Sequence, residues 1–421
     1  MRQNDIVALW ERKRGELKVF LKWLPLSILS GTGVGFAGTG FLFCIRKATE
    51  FRLQAPWIIW LLPLAGILIV FLYHLCGVKQ SQGTNLVLLA VRSPEPIPLR
   101  MAPLIFLSTV LTHLFGGSAG REGAALQIGG SLGFQLGRLF RLDEKDRHIM
   151  TMCGMSAAFS SLFGTPVTSV VFAMEVVSVG VMYYAALVPC AVASLIASAV
   201  AQACGAAPQI YSIPFPGLAD APAGMRIILL AALCATLSAL FCFVLQGAGR
   251  LYGKYLTNQY LRAAAGGILI PALALIFRTG DYLGAGGDII SASLQGQARP
   301  EAFLLKMVFT AVTLGAGFKG GEIVPSFFIG STFGCVAGGL LGLSPSVGAA
   351  LGMLSVFAGV TNCPLSALML GVELFGAQGI PFYLLTAAVG YMLSGYTGLY
   401  SKQRILYSKT KAEFLGDSGK G

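Results

Sequence analysis

The chain of 421 residues is 55% apolar and only 11% charged, with 54 glycines. Soluble globular proteins carry charge on about a quarter of their residues, so that class is excluded and a polytopic membrane protein, partnered by the lipid bilayer, is indicated. Thirty Lys and Arg against 18 Asp and Glu leave a net charge of +12, but the cations build no basic domain or aromatic-interleaved stripe, and no nucleic-acid partner is expected.

In chain order, residues 1–20 read as an amphipathic cytoplasmic lead-in. Its opening, MRQNDIVALWERKRGELK, has no early apolar region before an A-x-A site, so no signal peptide is expected. The apolar runs 57–77 and 182–205 reach the roughly 20 residues that cross a bilayer core. Runs at 103–116, 150–164 and 347–360 are shorter and broken by Gly or Pro, which predicts broken or re-entrant helices ending at membrane depth. Cations gather at Arg12, Lys13, Arg14 and Lys18, again at Arg138, Arg141, Lys145 and Arg147, and in the tail at Lys402, Arg404, Lys409 and Lys411. This fits positive-inside topology with both termini cytoplasmic. The cysteines, Cys44, Cys76, Cys190 and Cys234 among them, lie in apolar stretches without CxxC spacing or His partners and read as small core residues. His74, His113 and His148 are scattered, and neither a metal site nor a cofactor is expected.

An internal repeat organises the rest. GMSAAFSSLFGTPVTSVVFAMEV from Gly154 matches GMLSVFAGVTNCPLSALMLGVEL from Gly352, and one offset of 198 pairs Met155 with Met353, Phe159 with Phe357, Pro166 with Pro364 and Glu175 with Glu373. GREGAALQIGGSLG from Gly120 aligns with GEIVPSFFIGSTFG from Gly321 at offset 201. The organisation expected is a lead-in (1–20), a first transmembrane repeat (21–205), a Pro-rich linker (206–224), a second repeat (225–401) and a cytoplasmic tail (402–421). Repeats of this kind place a substrate site between two pseudo-symmetric bundles near the midplane.

Four acidic residues stand in the membrane-embedded stretches: Glu122, Glu175, Glu322 and Glu373. A carboxylate at the bilayer centre costs roughly 2.5–3.5 kcal/mol on insertion scales, so each needs a reason. Glu175 and Glu373 hold equivalent repeat positions, which argues for a shared structural job at a helix end. Glu122 and Glu322 do not: Arg121 is the repeat partner of Glu322, and both lie in glycine-rich segments that open into helices, the first near Ala124, the second with Pro325 in its first turn. Two helix N-termini, with Arg121 and Lys319 beside them, favour an anion. An ionised Glu122 competes for that place and a protonated one yields it, which predicts anion/proton exchange.

GREGA at Gly120–Ala124 and GGEIVP at Gly320–Pro325 resemble the GREGP and GxFxP motifs of the CLC anion channels and transporters. SGYTGLYSKQ resembles the segment bearing that family's central tyrosine, here Tyr400. The resemblance spans residues 20–405. It implies an all-α polytopic fold of two inverted-topology repeats of tilted and broken helices, a homodimer with one anion pathway per subunit, and a bacterial inner-membrane location. It assigns Glu122 as gating glutamate, Tyr400 as a hydroxyl at the inner side of the anion site, and the backbone of Gly123, Glu322 and Ile323 as anion-binding.

The departures refine this. Where chloride members have GSGIP the chain reads GTNLV at Gly83–Val87, putting Thr84 at the filter serine with Asn85 after it. Which of Ser81, Thr84 and Asn85 contacts the anion stays open. Chloride/proton exchangers carry an inner glutamate directly after the repeated one; here that residue is Val176, while Glu322 enters the second motif as the candidate inner proton carrier. This combination resembles the bacterial fluoride/proton exchangers, although they usually lack a hydroxyl where Thr84 stands. The expected function is exchange of a monovalent anion, fluoride ahead of chloride, for protons, with fluoride export conferring resistance. A chloride/proton antiporter and a passive channel of the same fold are the alternatives. An embedded enzyme is not expected, since no HExxH, GxSxG or catalytic carboxylate pair is present.

Overall fold

The computed structural model describes residues 3–78, 83–93, 96–215 and 221–416. Among them, α-helices dominate and fall into two sets of eight. The first set is α1 (Gln3–Gln54), α2 (Leu62–Leu75), α3 (Asn85–Ala90), α4 (Met101–Leu114), α5 (Glu122–Leu139), α6 (Glu144–Phe163), α7 (Pro166–Glu175) and α8 (Leu187–Ala203). The second is α9 (Ala221–Tyr255), α10 (Gln259–Ile276), α11 (Gly287–Leu294), α12 (Ala302–Gly315), α13 (Ile323–Leu340), α14 (Pro345–Thr361), α15 (Pro364–Phe375) and α16 (Ile380–Leu393). Each element of one set has its counterpart in the other, so the repeat extends well beyond the two matched motifs.

Among the described residues, six helices are long and apolar enough to cross a membrane, while α4, α7, α12, α14 and α15 are shorter apolar helices. The short runs are therefore partial spans, as their length requires. The helix α6 outgrows its apolar run because a polar first turn, capped by the Asp143 carboxylate accepting from Asp146 N–H at 2.9 Å, extends it.

Three features relate the halves by a local two-fold. Gly120 and Gly321 pair antiparallel, each N–H donating to the other's carbonyl at 2.7 Å, so the two glycine-rich segments pass the centre in opposite directions. Glu175 accepts from Leu365 N–H, Ser366 N–H and Ser366 Oγ at the start of α15, and Glu373 accepts from Val167 N–H, Thr168 N–H and Thr168 Oγ at the start of α7. The structural job argued for these glutamates is thus a reciprocal helix cap between repeats. Finally, α5 meets α6 through Gly129, Gly133 and Gly154, and α13 meets α14 through Gly330, Gly334, Gly348 and Gly352. At each of these glycines a Cβ would run into backbone of the opposing helix. Without water between them, membrane helices gain by approaching this closely.

Some sequence boundaries shift. Residue 20 lies inside α1, which continues from the lead-in straight into the first repeat. The linker is extended over 206–215, α9 begins at Ala221 before the expected boundary, and residues 216–220 lie outside the described part. The tail folds back rather than trailing: β2 (Arg404–Ile405) pairs in parallel with β1 (Ser178–Val179). Cys44 and Cys204 are exposed on the apolar surface and are not core residues, unlike Cys153, Cys190, Cys234, Cys242, Cys335 and Cys363.

Candidate functional site

The Gly120–Gly321 bridge brings two helix N-termini face to face. Arg121 is the N-cap of α5 and Glu322, its repeat counterpart, the N-cap of α13. The helix α5 therefore starts at Glu122 rather than near Ala124, because the two residues before Ala124 already take helical geometry behind the Arg121 cap. Each terminus leaves amide N–H groups without an intrahelical acceptor and a positive dipole end.

Into this gap folds the Glu122 side chain, with none of its surface exposed. Its Oε2 accepts from Arg121 N–H at 2.9 Å, and Arg121 Nε stands 3.6 Å from Oε1. Backbone groups of Glu122 itself and of Val324, one residue into α13 beyond Ile323, also face the carboxylate. The carboxylate thus accepts from the Arg121 amide at the α5 terminus and faces the α13 terminus, near where a small anion would be held. It also lies against Gly120, where an added Cβ would stand 2.6 Å from Oε2.

Beside it, the absent side chain of Gly123 leaves a hollow bordered by Thr84, Glu322 and the backbone of Gly321. A Cβ at Gly123 would lie 3.0 Å from Gly321 Cα, 3.0 Å from Thr84 Oγ1 and 3.3 Å from Glu322 Oε2. Thr84 donates to Gly123 O at 3.4 Å and Gln127 Nε2 to the same oxygen at 3.1 Å. Buried polar atoms are almost always paired, yet here Glu122 Oε1, Glu322 Oε2, Gln127 Oε1 and the Tyr400 hydroxyl have no hydrogen-bond partner among the described residues. Tyr400 is buried, and its hydroxyl is a donor left without an acceptor among the described residues. Such a chamber suits a small anion, a proton on a carboxylate, or both.

The structure thus brings together Glu122, Gly123, Glu322 and Thr84, with Ile323 next to Glu322 as the first residue of α13. Asn85 is turned elsewhere: its Oδ1 accepts from Lys402 N–H at 3.0 Å and anchors the tail. Ser81 lies outside the described residues. Sequence reasoning missed Gln127 and two buried cations. Lys306 on α12 donates to Tyr282 O and Gly284 O at 3.2 and 2.6 Å, and Arg52 at the end of α1 donates to His113 O at 2.7 Å. Lysine in the apolar run AFLLKMVFT was the signal available for the first. Both cations steady the wall of a cavity of 1010 Å³ that reaches Arg121 and Val324 and is lined also by Arg46 and Arg278.

A family model described as "Voltage gated chloride channel" matches residues 65–395. A "Chloride/fluoride channel protein" of Pseudomonas syringae pv. tomato is 39% identical over 400 residues, covering 93% of this chain and 88% of that protein. An "H(+)/Cl(-) exchange transporter ClcA" of Vibrio cholerae is 23% identical, covering 88% and 85%. Among solved structures, a CLC-type fluoride/proton antiporter superposes with TM-score 0.88 at 34% identity over 92% of this chain and 98% of that one. A slow cyanobacterial Cl−/H+ antiporter, at TM-score 0.75 and 19% identity, shares the fold.

Proposed function

The chain belongs to the voltage-gated chloride channel family, the CLC proteins, and from that premise we propose that it exchanges fluoride for protons and exports fluoride from the cell. The observation carrying this reading is the fully buried Glu122 carboxylate between the N-termini of α5 and α13, accepting from the Arg121 N–H and facing the amides where an anion would be held. Ionised, it excludes the anion; protonated, it loses its hold on those amides and yields the seat. One side chain therefore links anion entry to proton uptake.

In this reading Glu122 gates, Glu322 passes the proton inward in place of the inner carboxylate that Val176 lacks, and the anion is held by the backbone of Gly123, Glu322 and Ile323 with Thr84 and Tyr400. Asn85 contributes by holding the chain near Tyr400. Fluoride, small and tightly hydrated, surrenders its water only to several strong donors, which the helix termini and the Tyr400 hydroxyl supply. The names of the Pseudomonas protein and of the fluoride/proton antiporter support that anion. The reading includes a homodimer in the bacterial inner membrane, both termini cytoplasmic, and no enzymatic step.

Thr84 favours a second reading, chloride/proton exchange, since its hydroxyl stands at the hollow beside Gly123. Liposomes loaded with fluoride or chloride decide between them. Uphill proton pumping driven by fluoride and not by chloride is expected; anion current without proton movement would reject exchange in favour of a passive channel. Glu122→Gln should abolish proton coupling, and Glu322→Ala should leave anion movement with proton movement lost.

A further inference from the structure

Tyr400 lies outside any helix, in the turn between α16 and β2. A side chain on a loop is placed only as well as the groups around it are fixed. Before it, Leu399 N–H donates to Val360 O at 2.8 Å and Gln246 Nε2 to Gly398 O at 3.1 Å. After it, Gln403 makes the largest share of the side-chain contacts. Gln403 Nε2 donates to Val176 O at 3.0 Å and to Thr361 O at 2.8 Å, while its Oε1 accepts from Asn362 Nδ2 at 2.9 Å. Val176 ends α7 in the first repeat, and Thr361 ends α14 in the second. A single amide thus ties the C-terminal end of one helix in each repeat, α7 and α14, to the segment carrying the tyrosine.

A second layer backs it. Asn362 takes the left-handed conformation, φ 58°, that closes α14. Its Oδ1 accepts from Lys409 Nζ at 2.5 Å, and the same ammonium reaches Tyr391 O at 3.1 Å, Ser394 Oγ at 3.2 Å and Gly395 O, over the Tyr391 ring. These are carbonyls left over at helix ends, the groups a basic side chain satisfies best. Lys402, just before Gln403, is held too, its N–H donating to Asn85 Oδ1.

We propose that Gln403, locked from behind by Lys409 through Asn362, is a positioning residue that sets the Tyr400 hydroxyl at the anion site and so fixes which anion the protein prefers. The tail is then part of the transport machinery, and the spot left by the absent inner carboxylate at Val176 has become the anchor for that collar. This inference rests on Tyr400 lining the anion pathway.

Fluoride and chloride efflux from liposomes, measured on the purified full-length chain, tests it through the ratio of the two rates. General loosening of the fold lowers both rates together; displacing one hydroxyl changes their ratio. Gln403→Leu and Tyr400→Phe should each lower the fluoride/chloride ratio about tenfold, the order expected for one lost hydrogen bond to an ion. The double variant should fall no further than Tyr400→Phe alone, because one residue acts through the other. Lys409→Arg should keep the ratio, and Lys409→Met should lower it. Where Gln403→Leu fails to yield folded protein, Gln403→Asn, one methylene too short to bridge both carbonyls, should give an intermediate ratio. Additive losses in the double variant, or an unchanged ratio in the folded Gln403 variant, overturn the positioning role. An unchanged ratio in Tyr400→Phe removes Tyr400 from the pathway and takes both this inference and the site reading with it.

Discussion

At the scale of single residues, the site depends as much on an absent side chain as on those present. Gly123 has no Cβ, and one placed there would press on Thr84 Oγ1 and Gly321 Cα at 3.0 Å, closer than such contacts normally come. Gly123→Ala fills the hollow and crowds Thr84, Gly321 and the carboxylate of Glu322, the N-cap of α13. Fluoride efflux from liposomes should fall at least about tenfold, roughly 1.4 kcal/mol, while the melting temperature in detergent stays within a few degrees. Unchanged efflux would show that the hollow is not on the ion's route. Glu122, Glu322 and Gly123 were legible because carboxylates among glycines in an apolar chain are costly and so demand a reason. Thr84 and Tyr400 became legible through the family resemblance. Asn85, one of three candidate anion contacts in the Ser81–Asn85 stretch, has its side-chain oxygen engaged elsewhere. Its true partner, Lys402 N–H, lies in another element that no local pattern reveals.

Among elements, the reciprocal caps decide how the two repeats hold each other. Removing the Glu373 carboxylate leaves Val167 N–H, Thr168 N–H and Thr168 Oγ without their acceptor at the start of α7; removing that of Glu175 does the same at α15. Glu373→Ala and Glu175→Ala should each cost about 1–3 kcal/mol, read as a lower melting temperature in detergent, with the proton/anion ratio of the surviving protein unchanged. A normal melt with lost coupling would instead make either glutamate a proton carrier. Gly352→Leu should destabilise in a different way, since its Cβ already meets Gly334 Cα at 2.7 Å and α14 must move away from α13. That glycine stood in the matched repeat, but its opposing glycine lies on another helix. The element was legible, its contact was not.

For the molecule as a whole, the two-fold relation constrains where the chain ends. Two inverted repeats of like structure each cross the membrane an odd number of times, so their sum is even and both termini emerge on one face. The charges say which. Lys22, near the start of α1, forms an ion pair with Asp146 at the start of α6, which puts the basic turn from Arg138 to Arg147 on the same face as Arg12, Lys13, Arg14 and Lys18. That face carries Lys and Arg in clusters, and the proposed orientation therefore turns it toward the cytoplasm. Protease-cleavable tags placed at both ends should be cut together in inside-out membrane vesicles and both spared in right-side-out ones. Cutting of a single tag in right-side-out vesicles would break the odd-crossing argument. Cutting of both there would leave the symmetry standing and reverse the orientation, while the direction of exchange, set by the fluoride and proton gradients, would stay the same.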